Sequence, residues 1–412
     1  MSGVYSPRLP PPEPLRIAIL CPSHSLGDER VVARQALSLA RMGHTVTVLG
    51  RGDPDKKLPV HPRLQLESLL PMLRTASAAS RLVRLKALLK ARRLVLACRP
   101  HVLAAHEPDS AWLALSLRRR TGAAIHFDIH ECFEEMAAAR APRAVAGWVR
   151  RFVWWGVSAA ARRCDWLTVV SPHTARQYRA VHPKGRVAVL HNSPPIETFP
   201  LASQRVTGPI TLCHEGWLDR SRGMTQILRA LVLARRTADV RLLVVGKLRP
   251  GCEAEFHALV RELGLDQVVT VTGWLPYDEV GRVDATAQIG LVTMQPSGNN
   301  FGSLSNKLYS YMACGHAIIV PAGSATAEVA EQHQCGVAVD TTDPQAIADA
   351  ICRLANDAAL REELGARGRR AVVEELGWHR MEEVLRRIYQ ELGEKSLGAG
   401  AAPAKPGPSG GG

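Results

Sequence analysis

The opening strand–helix–strand unit is the feature that most constrains the fold of this chain. Residues 16–21 form a short apolar run, residues 28–42 carry apolar side chains at helical spacing up to Gly43, and residues 45–49 form a second apolar run. Two strands joined by one helix pack as a parallel pair with a right-handed crossover. The sequence therefore predicts an α/β fold built on a parallel sheet.

The loop after the first strand is a candidate binding element, because ligands of parallel sheets bind beyond the carboxyl ends of the strands. Ser23, Ser25 and Gly27 lie in this loop and are expected to face a ligand. The loop has no GxGxxG pattern, so the sequence does not predict a dinucleotide site.

The alternation of strands and helices continues along the chain in two stretches, separated by a proline-rich linker near residues 194–208. A chain of 412 residues suits two domains of about 150 to 200 residues each. We predict a first domain at 15–198 and a second at 199–392, with the last helix crossing back to the first. Residues 1–14 are expected to be a disordered leader, and residues 393–412, rich in Gly, Ala and Pro, a disordered tail.

The stretch from Pro296 to Val320 reads as a polar loop, a helix ended by Gly315, and a buried strand. Ser303 or Ser305 is expected to cap the helix. Its predicted apolar face consists of Leu304, Leu308, Tyr311 and Met312, and its polar stripe of Ser303, Asn306, Lys307 and Ser310. A glycine-containing loop that runs into a helix N-terminus offers amides and a positive dipole end to an anion. Lys307 adds a full charge to this predicted anion site.

The positive charge of the chain is concentrated in its first half. Residues 1–200 hold 30 Lys and Arg against 14 Asp and Glu, whereas residues 201–412 hold 22 against 24. This asymmetry favours an anionic partner for the first half. The sequence has no zinc finger, helix-turn-helix or RNP-type signature, so we predict no nucleic-acid partner and favour an anionic membrane surface.

Two basic segments are candidates for membrane contact. Residues 75–100 form a basic amphipathic helix, and residues 150–155 place Trp154 and Trp155 beside two arginines. The alternative for the first segment is an ordinary surface helix with a solvated charged face.

The chain is expected to be cytoplasmic. Its nine cysteines are scattered and form no CxxC pair, and no run of 18 apolar residues is present. The N-terminal residues lack the apolar segment of a secretory signal.

His126, Asp128 and His130 alternate along a predicted strand and so share one of its faces. A metal site can be built in this way. However, the sequence shows no second cluster of ligands nearby, and we predict no metal. A histidine that caps a neighbouring helix is the structural alternative for His130.

Several segments resemble a known family once they are considered together. The segment SNKLYSYMACGHAIIV, beginning at Ser305, resembles the NKLFEYMAAGKPVI signature of family 4 retaining glycosyltransferases. The segments DERVVARQALSLARMGHTVTVL and GWLDRSRGM resemble the opening pattern of that family and its GRLxxxKG motif. The resemblance implies the GT-B fold, with two Rossmann-like domains facing across a cleft. It implies a nucleotide-diphosphate sugar as donor substrate and no cofactor.

The resemblance also assigns roles to residues. His130 matches the histidine that lies near the donor sugar and is the predicted catalytic residue, while the loop of Ser23, Ser25 and Gly27 lies on the acceptor side. The predicted donor-binding residues are Gly216, Arg222, Gly246, Lys247, Trp274, Leu275, Ser303, Leu304, Asn306, Lys307 and Ser310. The chain departs from the family at two of the expected donor contacts. Ser310 stands where the family usually has a glutamate, and Trp217 replaces the first of two cations.

The resemblance implies a metal-independent retaining hexosyltransferase. The positive charge of residues 1–200 and the arginine-rich segments favour a lipid-linked or glycan acceptor at an anionic membrane. Such an enzyme would serve cell-surface polysaccharide or glycolipid synthesis from the cytoplasm, at the inner face of the membrane. The two departures favour an alternative, a pseudo-glycosyltransferase that acts as a non-catalytic partner or membrane-associated scaffold. A sugar-nucleotide epimerase of the same fold is less favoured, because the expected site segments show no paired catalytic carboxylates.

Overall fold

A computed structural model describes residues 13–52, 61–70, 81–296, 298–302 and 304–399. The chain forms two compact units. The first unit consists of the described residues up to Val169, of Ala175–Val189 and of the described residues from Glu382 onward. The second unit consists of Val170–Thr174 and Leu190–Met381. The main change of unit therefore comes at residue 190, nine residues before the predicted boundary at 199.

The first unit is built on a seven-stranded parallel sheet with the order β3-β2-β1-β4-β5-β6-β7. Its strands are β1 Arg16–Ser25, β2 Thr45–Arg51, β3 Leu64–Leu70, β4 Val102–Ala105, β5 Ala124–Ile129, β6 Trp166–Val169 and β7 Val187–Val189. The strand order reverses between β1 and β4, and this reversal is where doubly wound sheets place their ligands.

The first helical segment of this unit differs in type from the predicted α-helix. Glu29–Ala36 is a π-helix that continues as α1, Leu37–Arg41. The wider winding lets Arg30 and Gln35, five residues apart, both reach the carboxylate of Asp128. The helices that follow are α2 Arg81–Cys98, α3 Pro108–Thr121, α4 Phe133–Arg140, α5 Ala146–Ala161 and α6 Pro172–Val181.

The second unit repeats the design with a six-stranded parallel sheet of order β10-β9-β8-β11-β12-β13. Its strands are β8 Ile210–Glu215, β9 Val240–Val245, β10 Val269–Val271, β11 Ile289–Leu291, β12 Ala317–Pro321 and β13 Gly336–Val339. Leu212, Leu242, Ile289 and Ile319, from its four central strands, are at most 1% exposed. Burial on both faces explains why these strands read as continuous apolar runs in the sequence.

The helices of the second unit surround this sheet. They are the 3-10 turns Ile196–Thr198 and Arg220–Arg222, α7 Met224–Ala234, α8 Glu253–Glu262, α9 Tyr277–Asp284, α10 Gly298–Gly302, α11 Asn306–Cys314, α12 Ala325–Gln332, α13 Pro344–Asn356, α14 Ala358–Ala371 and the π-helical turn Val372–Leu376. The short helix α10 corrects the prediction of a polar loop at this place. The side chain of Asn300 stabilises it by donating to the carbonyl of Gln295 at 2.9 Å.

The last helix, α15, runs from Trp378 to Ala399 and corrects the predicted start of a disordered tail at 393. Gly393 packs against Leu15, and Lys395 forms an ion pair with Asp165, so contacts with the first unit extend the helix. Residues 400–412 of the predicted tail and residues 1–12 of the predicted leader lie outside the described residues. Within the described part of the chain, no helix combines the length and the apolarity that crossing a bilayer requires.

Candidate functional site

Two predicted donor-binding glycines lie against each other at the carboxyl ends of β8 and β9. The amide of Gly216 donates to the carbonyl of Val245 at 2.7 Å. A Cβ on Gly246 would come within 2.2 Å of the Gly216 carbonyl oxygen. Gly246 is therefore required for the packing of the two loops. A Cβ on Gly216 would meet only the Nζ atom of Lys307, at 3.8 Å, so this ammonium lies directly over the loop.

Lys307, in the first turn of α11, is a partly buried cation. Burial lowers its pKa to about 8, and the charge of Arg222 acts in the same direction, while Glu215 and Asp219 oppose the shift. The ammonium is therefore charged at neutral pH but poorly solvated. A nearby anion would stabilise it more than it would stabilise an exposed lysine.

Arg222 ends a 3-10 turn that is held by Asp219. The Asp219 carboxylate accepts from the Arg222 amide at 3.1 Å and from the Arg222 guanidinium at 2.8 Å. The following Gly223 has a φ of +81°, and a Cβ there would lie 2.5 Å from the Thr293 carbonyl oxygen. Packing against Thr293, which follows β11, thus fixes the turn that presents Arg222, whose side chain is 24% exposed.

Arg249 is a third cation at this site, and the sequence analysis did not select it. Its guanidinium donates to Asp219 at 2.5 Å and lies 5.6 Å from the centre of the Trp217 ring. A guanidinium over the face of a tryptophan is attracted by the ring electrons. Trp217 replaces the first cation of the family motif, and Arg249 from the next loop places a cation over its ring.

Asp219 links Arg222 and Arg249. Burial alone would raise its pKa, but hydrogen bonds from Ser221 and Arg249 and the charges of both arginines lower it. A cavity of about 480 Å³ opens beside these groups. It is lined by Asp219, Arg220, Ser221, Arg222, Arg249, Gly251, Cys252 and Glu255.

Glu215 and Asp284 form a carboxylate pair that the sequence analysis missed. Burial raises the pKa of Asp284, and the neighbouring Glu215 raises it further, so the pair holds a proton. The Oε2 atom of Glu215 and the Oδ2 atom of Asp284 are buried, and a hydrogen bond between the two carboxyl groups accounts for this proton. The charge of Glu215 acts on Lys307, so the pair provides a negative counter-charge to that ammonium.

Helix α11 is fixed by its buried side chains. The predicted apolar face is confirmed for Leu308, Tyr311 and Met312, which are 0% exposed. Leu304 is also buried, but it precedes the helix, which begins at Asn306. The Tyr311 hydroxyl donates to the Cys213 carbonyl at 3.0 Å and accepts from the Glu215 amide at 2.8 Å, which ties α11 to β8.

Other predictions about α11 need correction. Ser305 is the N-cap residue, but its hydroxyl makes no capping hydrogen bond; its amide instead donates to Thr326 at 3.3 Å. Ser303 lies outside the described residues. Asn306 is exposed, as expected for a polar stripe, whereas Ser310 is only 5% exposed because it faces the interior of the unit.

The remaining predicted donor contacts lie at the ends of β9 and β10. Lys247 is exposed, and its carbonyl accepts from the Leu218 amide at 2.9 Å. Trp274 is 62% exposed, which leaves a large ring face for stacking on a base, while Leu275 packs against the core.

In the first unit, the predicted catalytic residue His130 follows β5 and contacts His24, with 3.1 Å between their Nε2 atoms. Burial lowers the pKa of His130 to about 3, so its imidazole is neutral. Burial alone would also lower the pKa of His24, but the hydrogen bond to Asp28 and the charge of Glu107 raise it to about 9. The charged His24 thus donates to Nε2 of His130, and the His130 proton resides on Nδ1, 3.6 Å from Asp128.

His106, Asp128 and His130 have potential metal-binding atoms that all lie within 4.8 Å of one another. The sequence did not indicate His106 as a partner of Asp128 and His130, because His106 follows β4 whereas the other two lie at the end of β5. The residues fit a cation poorly. Asp128 already accepts from Arg30 at 2.9 Å, from Gln35 at 2.8 Å and from Thr168 at 2.6 Å, and the guanidinium repels a cation.

The expected alternation of His126 with His130 does not produce one site. His126 is fully buried and contacts the Tyr389 hydroxyl at 3.1 Å and the Thr168 hydroxyl at 2.9 Å. It is therefore a satisfied core histidine that helps to attach α15 to the first sheet.

The predicted acceptor-side loop is shorter than expected, because β1 continues through Ser25. Ser23 and Ser25 are strand residues, and Gly27 lies in the turn that follows. The extended strand pairs again with β2 at Ser25 and Arg51, after a shift in register, and the Ser23 amide in between donates to Glu107 at 3.1 Å. Ser23 and Gly27 remain exposed at this end of the sheet.

Two family profiles match the chain. The profile of "Glycosyltransferase Family 4" matches residues 27–196, and that of "Glycosyl transferases group 1" matches residues 209–357. The chain belongs to the family 4 glycosyltransferases. The two profiles match both halves of the chain, in which the sequence motifs had also indicated this family.

Among curated proteins, one similar protein comes from Corynebacterium glutamicum. It is named GDP-mannose-dependent monoacylated alpha-(1-6)-phosphatidylinositol monomannoside mannosyltransferase. It is 25% identical over 245 residues, which make up 55% of this chain and 62% of that protein. The match thus spans less than two thirds of the length of this relative.

Solved structures also resemble this glycosyltransferase. Sucrose-phosphate synthase from Thermosynechococcus elongatus has a TM-score of 0.74 at 19% identity, covering 92% of this chain and 99% of that one. The HepE protein of Anabaena in complex with UDP has a TM-score of 0.71 at 13% identity, covering 92% of this chain and 100% of that one. At these identities the likeness shows the fold, and it confirms the predicted GT-B class of two Rossmann-like domains.

Proposed function

We propose that the protein is a retaining glycosyltransferase that moves a hexosyl group from a nucleotide-diphosphate sugar to a hydroxyl acceptor. The observation that carries this proposal is the cation group of the second unit. Lys307 and Arg222 lie at the carboxyl end of β8, and Arg249 shares Asp219 with Arg222. A diphosphate is the anion that three neighbouring cations suit, and Trp274 provides a ring face for its base.

In the proposed reaction, the bond between the anomeric carbon and the diphosphate oxygen breaks, and the bond to the acceptor oxygen forms on the same face of the sugar. The acceptor proton passes to the departing phosphate oxygen. Negative charge develops on the diphosphate, so the role of Arg222 and Lys307 is to stabilise that charge. These fixed cations support a reaction that needs no metal. The role proposed for His130 is to orient the donor sugar as a neutral hydrogen-bonding group.

We further propose a lipid-linked or glycan acceptor, met from the cytoplasm at the inner face of the membrane. The excess of 30 basic over 14 acidic residues in residues 1–200 favours an anionic surface. The name of the Corynebacterium relative supports a glycolipid acceptor, since that protein acts on a phosphatidylinositol monomannoside.

A second function, a pseudo-glycosyltransferase that acts as a non-catalytic partner or membrane-associated scaffold, is favoured by Ser310 and Trp217. Serine offers one short hydroxyl where a glutamate accepts two hydrogen bonds. Against this alternative, Arg249 supplies a cation over Trp217, and Glu215 supplies a carboxylate beside Lys307. The chain therefore carries both chemical groups that the two substitutions removed, although at other positions.

Donor-binding calorimetry, followed by a transfer assay, tests the proposal. The purified protein is titrated with UDP-glucose, GDP-mannose and other sugar nucleotides, with and without EDTA. The variant Arg222→Ala and the control Arg236→Ala, in the turn after α7, are titrated in the same way. We expect one donor to bind, Arg236→Ala to behave as the parent, and Arg222→Ala to bind about tenfold to a hundredfold more weakly. No binding up to millimolar concentrations would overturn the proposal in favour of the pseudoenzyme. Activity lost in EDTA and restored by Mg²⁺ would overturn metal independence.

The stereochemical course has its own measurement. The anomeric configuration of the product, read by NMR, is expected to equal that of the donor. An inverted product would refute the retaining assignment and leave the donor site intact.

A further inference from the structure

Helix α5 exposes a continuous stripe of large apolar side chains. Val145, Trp148, Phe152 and Trp155 follow one another at spacings of three, four and three residues, which places them on one side of the helix. Their exposed fractions are 44%, 78%, 71% and 61%, and the rings of Phe152 and Trp155 stack with their centres 6.1 Å apart. Single exposed apolar residues are ordinary, but a stripe of three aromatic rings indicates an interaction surface.

The rest of α5 is fixed to the first unit. Val157 is 1% exposed, and the ring of Trp154 lies 5.3 Å from that of Tyr178. The expected pairing of Trp154 with Trp155 at one surface is therefore wrong, since Trp154 packs against Tyr178 whereas Trp155 is exposed. Because the core holds the inner side of α5, the stripe cannot turn inward without unpacking the helix.

The charges on α5 suit an anionic surface. The helix contains Arg150 and Arg151 and no acidic residue. Arg150 pairs with Glu135 on α4 at 2.7 Å, away from the stripe. Arg151 is exposed and lies one turn from both Trp148 and Trp155, on the same side. Tryptophan and arginine together are typical of helices that lie in the headgroup region of a bilayer.

We propose that the stripe formed by Trp148, Phe152 and Trp155 inserts into the headgroup region of an anionic lipid bilayer, with Arg151 contacting lipid phosphates. This inference rests on the membrane location in the proposed function and names the surface responsible. A second copy of the chain suits the stripe less well, because it would bring the Arg151 side chains and two basic halves together. Insertion of aromatic rings, unlike attraction between charges, persists at high salt.

The experiment measures binding to vesicles of phosphatidylcholine alone or mixed with phosphatidylglycerol, at low and high salt. The full-length parent is compared with the double variant Trp148→Ser/Trp155→Ser. The control is Trp112→Ser, which removes another exposed indole of the first unit, 41% exposed, from α3. We expect the parent to retain binding to the mixed vesicles at high salt, and the double variant to bind about thirtyfold more weakly. The control should bind as the parent does.

Each other outcome has one meaning. A parent that binds neither vesicle at any salt would remove the membrane location itself, and with it this inference. If parent and double variant bind equally well and both lose binding at high salt, charge alone accounts for the membrane location. That result would overturn the role of the stripe. Loss of a dimer in the double variant by light scattering, without a change in vesicle binding, would make the stripe a protein interface. UDP binding in all variants reports that the second unit is unaffected, and circular dichroism confirms folding.

Discussion

The lowered pKa of Lys307 predicts that the affinity for a nucleoside diphosphate decreases as the pH rises above 8. Burial and the charge of Arg222 lower this pKa to about 8 in the free protein. Only the ammonium form attracts the diphosphate. A bound anion raises the pKa again, so the complex stays protonated over the range in which the free protein loses its proton.

The expected magnitude follows from the charged fraction of Lys307. With a pKa of about 8 the free lysine is about three quarters charged at a pH of about 7.5 and about one tenth charged at a pH of about 9. The dissociation constant for UDP or GDP should therefore rise about eightfold over this interval, or about 1.3 kcal/mol. Isothermal calorimetry in buffers of equal ionic strength measures this change and also the proton taken up on binding.

The matched variant is Lys307→Arg, which keeps the charge at every pH of the titration because the arginine pKa lies above about 12. Its affinity should not change between the two pH values. If the affinity of the variant decreases with pH as much as that of the parent, the titrating group is the carboxyl pair of Glu215 and Asp284 and the reasoning about Lys307 is refuted. A parent whose affinity does not change with pH would place the ammonium outside the diphosphate site.

Three further predictions concern the site and the stability of the chain. Arg222→Ala and Arg249→Ala should each weaken UDP binding about tenfold. The double variant should lose less binding free energy than the two single variants lose together, because both arginines share Asp219. Additive losses in calorimetry would contradict that coupling. Ser310→Glu should tighten donor binding by restoring two acceptors beside Lys307, and weaker binding would show that the site is shaped around serine. Lowering the pH from about 7 to about 6 should shift the urea midpoint downward. Each histidine that is neutral in the fold lowers the free energy of unfolding by about 0.7 kcal/mol over this interval, because the unfolded chain binds a proton that the folded chain does not. His24 and Glu107, whose pKa values are raised to about 9 and about 8, act in the opposite direction and offset part of this loss. The five histidines concerned, whose pKa burial lowers to about 3 or 4, are His44, His126, His130, His214 and His316. Their contribution is fully present above a pH of about 6.5 and is lost as the pH falls; an unchanged midpoint would contradict it.

The sequence predicted the features of the fold that local pattern determines. Apolar runs such as 317–320, which lies within β12, mark strands buried on both faces, and the glycine at 315 ends α11 where expected. The pattern missed β3, at Leu64–Leu70, because it lies at the sheet edge and alternates polar with apolar residues. It also missed the extension of β1 through Ser25, which depends on the pairing of Ser25 with Arg51 of β2 after a shift in register.

The candidate site was predicted only where the chemistry follows a motif. Lys307 and Arg222 were found from their local sequence, and the structure places both at the carboxyl end of β8. Asp284 lies 69 positions after Glu215, so no local spacing could announce that pair. Arg249 lies just after β9, in the same loop as the predicted donor-binding residues Gly246 and Lys247. Its charge and its place in that loop could have identified it as a third cation of the site.

The position of Tyr311 has a consequence for how this chain tolerates mutation. Its ring rests on Gly290, where a Cβ would come within 2.3 Å, and its hydroxyl is bonded to β8. The helix is thus anchored by a residue immediately next to Ser310, which is itself only 5% exposed. A change at 310 therefore acts on the packing of α11 as well as on any contact with a nucleotide. A library randomised at 310, with Tyr311 and Gly290 retained, should yield folded proteins that mostly carry small side chains at 310.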